Sequence, residues 1–177
     1  MVKPERLGLV QVYTGDGKGK TTAALGLALR AAGAGMRVYI GQFLKGMHYG
    51  ELESIQRLAP HITLEQYGLN EFVHVNGASP AQLSAAEHGL QRIRQALTSG
   101  EYDIVVADEI NIAIFFHLLT EDQVLQLIDA KLPEVELVLT GRRAPASIIE
   151  RADLVTEMRE VRHPYQKGVL ARAGIEF

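Results

Sequence analysis

Residues 14–22 read Thr14-Gly15-Asp16-Gly17-Lys18-Gly19-Lys20-Thr21-Thr22, and what flanks them decides the fold. Before them, Leu7 to Tyr13 is an apolar run that reads as a strand. After them, an Ala- and Leu-rich stretch from about Lys20 to Ala34 reads as a helix, stopped by Gly33 and Gly35. A strand, a glycine-rich turn and a helix in that order are the setting of a phosphate-binding loop. Glycines let backbone N–H groups turn inward around an anion without Cβ clashes. The helix N-terminus adds partial positive charge and Lys20 a full one. Thr21 or Thr22 offers a hydroxyl to a bound Mg²⁺. Gly15, Asp16, Gly17, Lys18, Gly19, Lys20, Thr21 and Thr22 are therefore the expected phosphate-binding set. One departure stands out: the usual pattern has glycine five positions before Gly19, where this chain has Thr14, with glycine displaced to Gly15.

Outward from this loop, short apolar runs alternate with helical patterns. Arg37 to Leu44, Ile62 to Tyr67, Ile104 to Ala107, Glu136 to Thr140 and Leu154 to Met158 read as strands. Between them, Glu51 to Leu58 reads as a short helix, and residues 68–78 are irregular by composition. Ser79-Pro80 is an N-cap followed by proline at the first helical position. Leu83, Ala86, Leu90, Ile93 and Leu97 then recur on one helical face, closed by Gly100. Further helices start at Thr120 and near Pro145. The alternation predicts an α/β fold: a doubly wound, mainly parallel sheet of the P-loop NTPase kind, with helices on both faces, in one domain over 1–177.

The strand Ile104-Val-Val-Ala107 runs straight into Asp108-Glu109. This sets a carboxylate at the C-terminal end of a central strand, the edge where ligands gather in doubly wound sheets. There it can hold Mg²⁺ directly or through water, so Thr21, Asp108 and Glu109 are the candidate metal ligands. Arg142 and Arg143 follow the strand ending at Thr140 and reach the same edge, either to neutralise phosphate or as solvated loop residues. Lys45, after the second strand, shares that position and that ambiguity.

Composition narrows the class. The chain has 177 residues and a net charge of −3, which argues against bulk nucleic acid as a partner. With 0 cysteines there is no disulfide, thiolate nucleophile or Cys-ligated metal. Six histidines show no paired metal spacing. The longest apolar run, Ile112 to Phe116, is far short of the roughly 20 residues of a membrane span. A cytoplasmic protein is expected. From the residues alone the chemistry is binding of a nucleoside triphosphate with Mg²⁺. A small-molecule kinase, an NTPase and a non-catalytic ATP-binding module all remain open.

Several segments go further. Val12 to Thr22, Gln42-Phe-Leu-Lys-Gly46, Val105-Val-Ala-Asp-Glu-Ile-Asn111, Val138-Leu-Thr-Gly-Arg142, Ala152 to Met158, His163-Pro-Tyr-Gln-Lys-Gly168 and Ala173-Gly-Ile-Glu-Phe177 together resemble the ATP:corrinoid adenosyltransferase family, in family order. The resemblance implies transfer of the 5′-deoxyadenosyl group of ATP to the Co(I) of a corrinoid, cob(I)alamin or cob(I)yrinic acid a,c-diamide, with release of triphosphate. Lys20, Lys18 and Arg142 would then be catalytic by stabilising the leaving triphosphate, beside Mg²⁺ or Mn²⁺. Asp108 and Glu109 would serve the metal, and no general base is needed. Family ATP lies with its phosphate chain reversed relative to ordinary P-loop enzymes.

The family also places a Phe-x-Trp element against the corrinoid, to remove its lower axial ligand. Phe72 matches it, but His74 stands where tryptophan is expected, and the chain has 0 Trp. The resemblance further implies a homodimer, a reductase or flavodoxin-type electron donor, and an N-terminal lid over the corrinoid. Only about six residues precede the first strand, so that lid is expected to be short or absent.

Overall fold

The structure, a computed structural model, describes residues 8–71 and 77–176. Its elements run β1 (Val10–Thr14), α1 (Lys20–Gly33), β2 (Val38–Phe43), α2 (Gly50–Gln56), β3 (Ile62–Tyr67), α3 (Pro80–Thr98) and β4 (Ile104–Asp108). There follow α4 (Ile110–Phe115), α5 (Glu121–Ala130), β5 (Glu136–Thr140), α6 (Ala146–Glu150), β6 (Leu154–Glu157) and a 3₁₀ turn over Pro164–Lys167. The strands join in the order β3-β2-β4-β5-β1-β6, and every neighbouring pair is parallel.

Central parallel strands are buried on both faces, so they read as continuous apolar runs and not as alternation. The period of two survives in where the side chains go. Val105, Ala107, Leu137 and Leu139 enter one core cluster with α3, α4 and α5. Ile104, Val106 and Val138 enter the other, against Ala24, Ala28 and Ala31 of α1. Small alanines let α1 lie close to the sheet. Capping boxes at Ser79 and Thr120 start α3 and α5 by satisfying two backbone N–H groups at each helix start.

Two outer strands differ. β3 is tied to the rest by a polar network: the Tyr39 and Tyr67 hydroxyls share a hydrogen bond and both lie within hydrogen-bond distance of the Glu65 carboxylate, which Arg92 of α3 grips at 2.7 Å. The Arg92 guanidinium holds the Glu65 carboxyl well down, to about 2. At the other edge all four residues of β6 are exposed.

The topology creates the site. The chain leaves the C-terminal end of β1 for the α1 face, whereas it leaves β4 and β5 for the opposite face through α4 and α6. Connections that part in this way open a crevice above the carboxyl ends of the strands. No helix among the described residues is long and apolar enough to cross a membrane.

Two glycines give opposite expectations. Gly26 lies on the exposed face of α1, where an added Cβ would meet only open space, whereas a Cβ on Gly89 of α3 would stand 2.6 Å from the Tyr67 ring. Gly26→Ala should stabilise by up to about 1 kcal/mol through helix propensity. Gly89→Ala should destabilise by about 1–3 kcal/mol despite the same propensity gain, because hydrogen bonds hold Tyr67 in place. Urea unfolding of the two variants measures both.

Candidate active site

Above the carboxyl ends of the strands lies a cavity of about 650 Å³, within the range of small-molecule sites. The phosphate loop and the start of α1 form its floor. The segment after β2 forms one wall, Glu109 and Arg142 another, and the C-terminal tail closes over it.

The loop has two glycines at positive φ, Gly15 at 92° and Gly19 at 120°. Gly19 occupies the N-cap of α1 with no side-chain cap, so the first amides of that helix stay open to an incoming anion. Close packing adds a second demand for glycine. The Gly17 N–H donates to the Met158 carbonyl at 2.7 Å, and a Cβ on Gly15 or Gly17 would strike that carbonyl at 2.5 or 2.7 Å. The loop is therefore buttressed by the end of β6. Lys20 is 6% exposed and folds back to donate to the Gly15 and Gly17 carbonyls, both at 2.7 Å. Burial lowers its pKa. Gly15 and Asp16 do not line the cavity, whereas Gly17, Lys18, Gly19, Lys20, Thr21 and Thr22 do. Thr14, which replaces the usual glycine, ends β1 and is 8% exposed; its hydroxyl accepts from the Ala144 N–H at 3.3 Å. It clamps the strand to the loop after β5.

Asp108 is the hub. It is 1% exposed, and its carboxylate accepts from Thr21 Oγ1 at 2.9 Å, Thr140 Oγ1 at 2.6 Å and Gln42 Nε2 at 3.2 Å. Lys45 Nζ completes the set at 3.0 Å from Oδ2. Burial is the largest single influence and would lower the Lys45 pKa, but Asp108, with Glu51 and Glu109, together outweigh it and the ammonium is held above its ordinary value. Thus Lys45 is no solvated loop residue. Thr140 and Gln42, both fully buried, were not singled out by the sequence, although each is a polar residue inside an apolar strand.

Glu109 turns the other way. It adopts a left-handed conformation (φ 62°), its N–H donates to Thr140 Oγ1 at 2.9 Å, and its side chain lines the cavity. Burial, with the Asp108 charge beside it, raises its pKa. Thr21, Asp108 and Glu109 are thus brought together. The paired arginines separate: Arg142 lines the cavity, while Arg143 stacks its guanidinium 4.1 Å from the Phe115 ring centre. Lys18 donates at 2.9 Å to both the Ile175 carbonyl and Glu176 Oε1, so the tail, which entered the sequence analysis only through the family resemblance, is part of the wall. Phe72 and His74 lie outside the described residues.

The description ATP:corrinoid adenosyltransferase BtuR/CobO/CobP belongs to the family model that matches residues 6–177. The chain belongs to the ATP:corrinoid adenosyltransferase family. Among its relatives is a corrinoid adenosyltransferase of Sinorhizobium sp., 35% identical over 99% of this chain and 83% of the relative. A corrinoid adenosyltransferase of Pseudomonas aeruginosa is 36% identical over 96% of this chain and 84% of its own length. The Salmonella typhimurium corrinoid adenosyltransferase CobA is 33% identical over 98% and 87%. The family's substrates, ATP and a corrinoid, suit a cavity with a phosphate loop on one side and space beyond it.

The raised pKa of Glu109 has a testable sign. A carboxyl whose pKa is higher folded than unfolded favours the fold most when protonated. That contribution is present below the ordinary value of about 4.3 and is lost as pH rises through the folded value. Glu109→Gln should therefore melt above the parent at pH 7.5 in metal-free buffer, with the gap closing towards pH 4. A gap independent of pH would contradict this electrostatic reading.

Proposed function

We propose that this adenosyltransferase uses the cradle to hold and then stabilise the triphosphate of ATP while the corrinoid cobalt attacks the 5′ carbon. The observation that carries the reading is the charge arrangement: Lys18, Lys20, Lys45 and Arg142 line one cavity around an uncapped helix N-terminus. Such a wall is matched to a polyanion. In the displacement, the Co(I) electron pair forms the Co–C bond, the C5′–O5′ bond breaks, and its electrons leave on the triphosphate. Stabilising that departing charge is the protein's main electrostatic task. No proton need be removed, and Asp108 suits this: its carboxylate is occupied by Thr21, Thr140, Gln42 and Lys45.

Mg²⁺ or Mn²⁺ fits the donors present. Thr21 Oγ1 and Asp108 Oδ1 lie side by side, 2.9 Å apart at the start of α1, and both are hard oxygens. Thr21 and Asp108 would hold the ion, with Glu109 at the cavity wall behind them. When bound, the ion would supply further neutralisation of phosphate charge. Lys20 would give up the Gly15 and Gly17 carbonyls for phosphate oxygens. The same reading takes 1–177 as one domain, acting as a cytoplasmic homodimer served by a reductase or flavodoxin-type donor. It also assigns Phe72, with His74 in place of tryptophan, to the corrinoid side.

The test is anaerobic, with Mg²⁺-ATP and a chemically reduced corrinoid. The expected result is a light-sensitive Co–C product together with triphosphate; accumulation of ADP with unchanged corrinoid would overturn the reading. Lys20→Ala should lower kcat by about 10²- to 10³-fold, the loss typical of one transition-state donor. Phe72→Ala should impair turnover from Co(II) more than from prepared Co(I), and equal losses would remove it from ligand displacement.

A further inference from the structure

Lys45, one of the cations lining the cradle, also makes a contact with Asp108 that the adenosyl-transfer reading does not explain. A carboxylate as buried as Asp108 needs a counter-charge, since an unpaired buried ion loses its hydration with nothing to offset the loss. Lys45 supplies it from only 3.0 Å, and its side chain is 14% exposed. Local structure aims it there. Leu44 takes a left-handed turn (φ 60°) at the end of β2, and the following backbone packs against Gly68, where a Cβ would meet the Lys45 N at 2.4 Å. Lys45 also has two softer partners on the cavity wall, Glu51 Oε1 at 3.5 Å and the Tyr49 ring at 5.1 Å. It can therefore leave Asp108 without losing all of its stabilisation.

Lys20 shows the same pattern, donating to loop carbonyls that a phosphate chain would replace. Lys45 and a divalent ion, however, compete for one carboxylate. We propose that Lys45 stands in for the divalent cation at Asp108 while the cradle is empty, and moves onto the triphosphate chain once that cation is bound. Lys45 then does two jobs in turn. It keeps the buried carboxylate neutralised before substrate arrives, and it adds a positive charge to the leaving group afterwards. The exchange keeps a cation beside Asp108 throughout, so neither step exposes an unpaired buried charge.

The inference rests on the triphosphate-cradle reading, and binding of inorganic probes separates the two. Calorimetric titration of the wild-type protein, Lys45→Met and Lys45→Arg would use Mg²⁺ alone and Mg²⁺-tripolyphosphate. With its competitor removed, Lys45→Met should bind Mg²⁺ about tenfold more tightly and Mg²⁺-tripolyphosphate about tenfold more weakly, opposite changes of one decade each. Lys45→Arg should keep near-wild-type tripolyphosphate affinity. A lysine that only supports the fold would not move the two affinities in opposite directions, and that outcome overturns the proposal. If Lys45→Met is unstable without metal, its melting point should recover with Mg²⁺ by more than the wild-type protein gains. Equal destabilisation with and without Mg²⁺ also overturns it. Failure of the wild-type protein to bind Mg²⁺-tripolyphosphate would remove the cradle reading and this inference together; normal wild-type binding with an unaffected Lys45→Met removes the inference alone.

Discussion

The buried carboxylate of Asp108 is the constraint around which the functional end of the molecule is arranged. It gathers β2 through Gln42, β4 itself, β5 through Thr140, α1 through Thr21 and the β2–α2 segment through Lys45. Each of these groups sits at or just past the carboxyl end of its strand, or at the start of the helix after β1. A single charge in a low-dielectric setting makes their positions mutually dependent, because removing any donor leaves the rest to bear its desolvation. The hydrophobic clusters on the two faces stabilise the sheet. The Asp108 network decides how the loops meet above it.

That arrangement also explains why the two neighbouring acids behave differently. Asp108 ends β4 within the sheet and is saturated with donors, while Glu109 starts a left-handed turn that swings its side chain into the cavity. One carboxylate is taken up by its donors. The other is pushed toward its neutral form by burial and by the first. The pair thus sets one carboxylate inside the sheet network and the other at the cavity wall.

Much of this was legible in the sequence. The strand, glycine turn and helix at 10–33 were expected and are present, and the apolar run into Asp108-Glu109 set a carboxylate at the C-terminal end of β4, beside the start of α1. Every strand expected was found, with ends shifted by a few residues. What stayed hidden depended on three-dimensional neighbours. Helix α4 is apolar throughout apart from Asn111 (Ile110–Phe115), so it carries no amphipathic period to separate it from a buried strand. Arg142 and Arg143 are adjacent and identical in type, yet they part in a loop where both Gly141 (127°) and Arg143 (57°) have positive φ. Thr14 departs from the usual phosphate-loop pattern, and its hydroxyl accepts the Ala144 N–H, a contact 130 residues away in sequence. Lys18 finds its partner in the last residues of the chain, a pairing that no local pattern signals.

The placement of β1 governs the order in which the molecule can be made. The strand that begins the phosphate loop pairs on one side with Leu137–Thr140 and on the other with Leu154–Glu157. The Gly17 amide is bonded to the Met158 carbonyl beyond that second partner. Synthesis delivers the cradle sequence first and its supports last. Loop closures of this span make folding slow relative to helical bundles. The glycine loop therefore takes its shape only when β5 and the end of β6, far along the sequence from it, have come to lie beside β1.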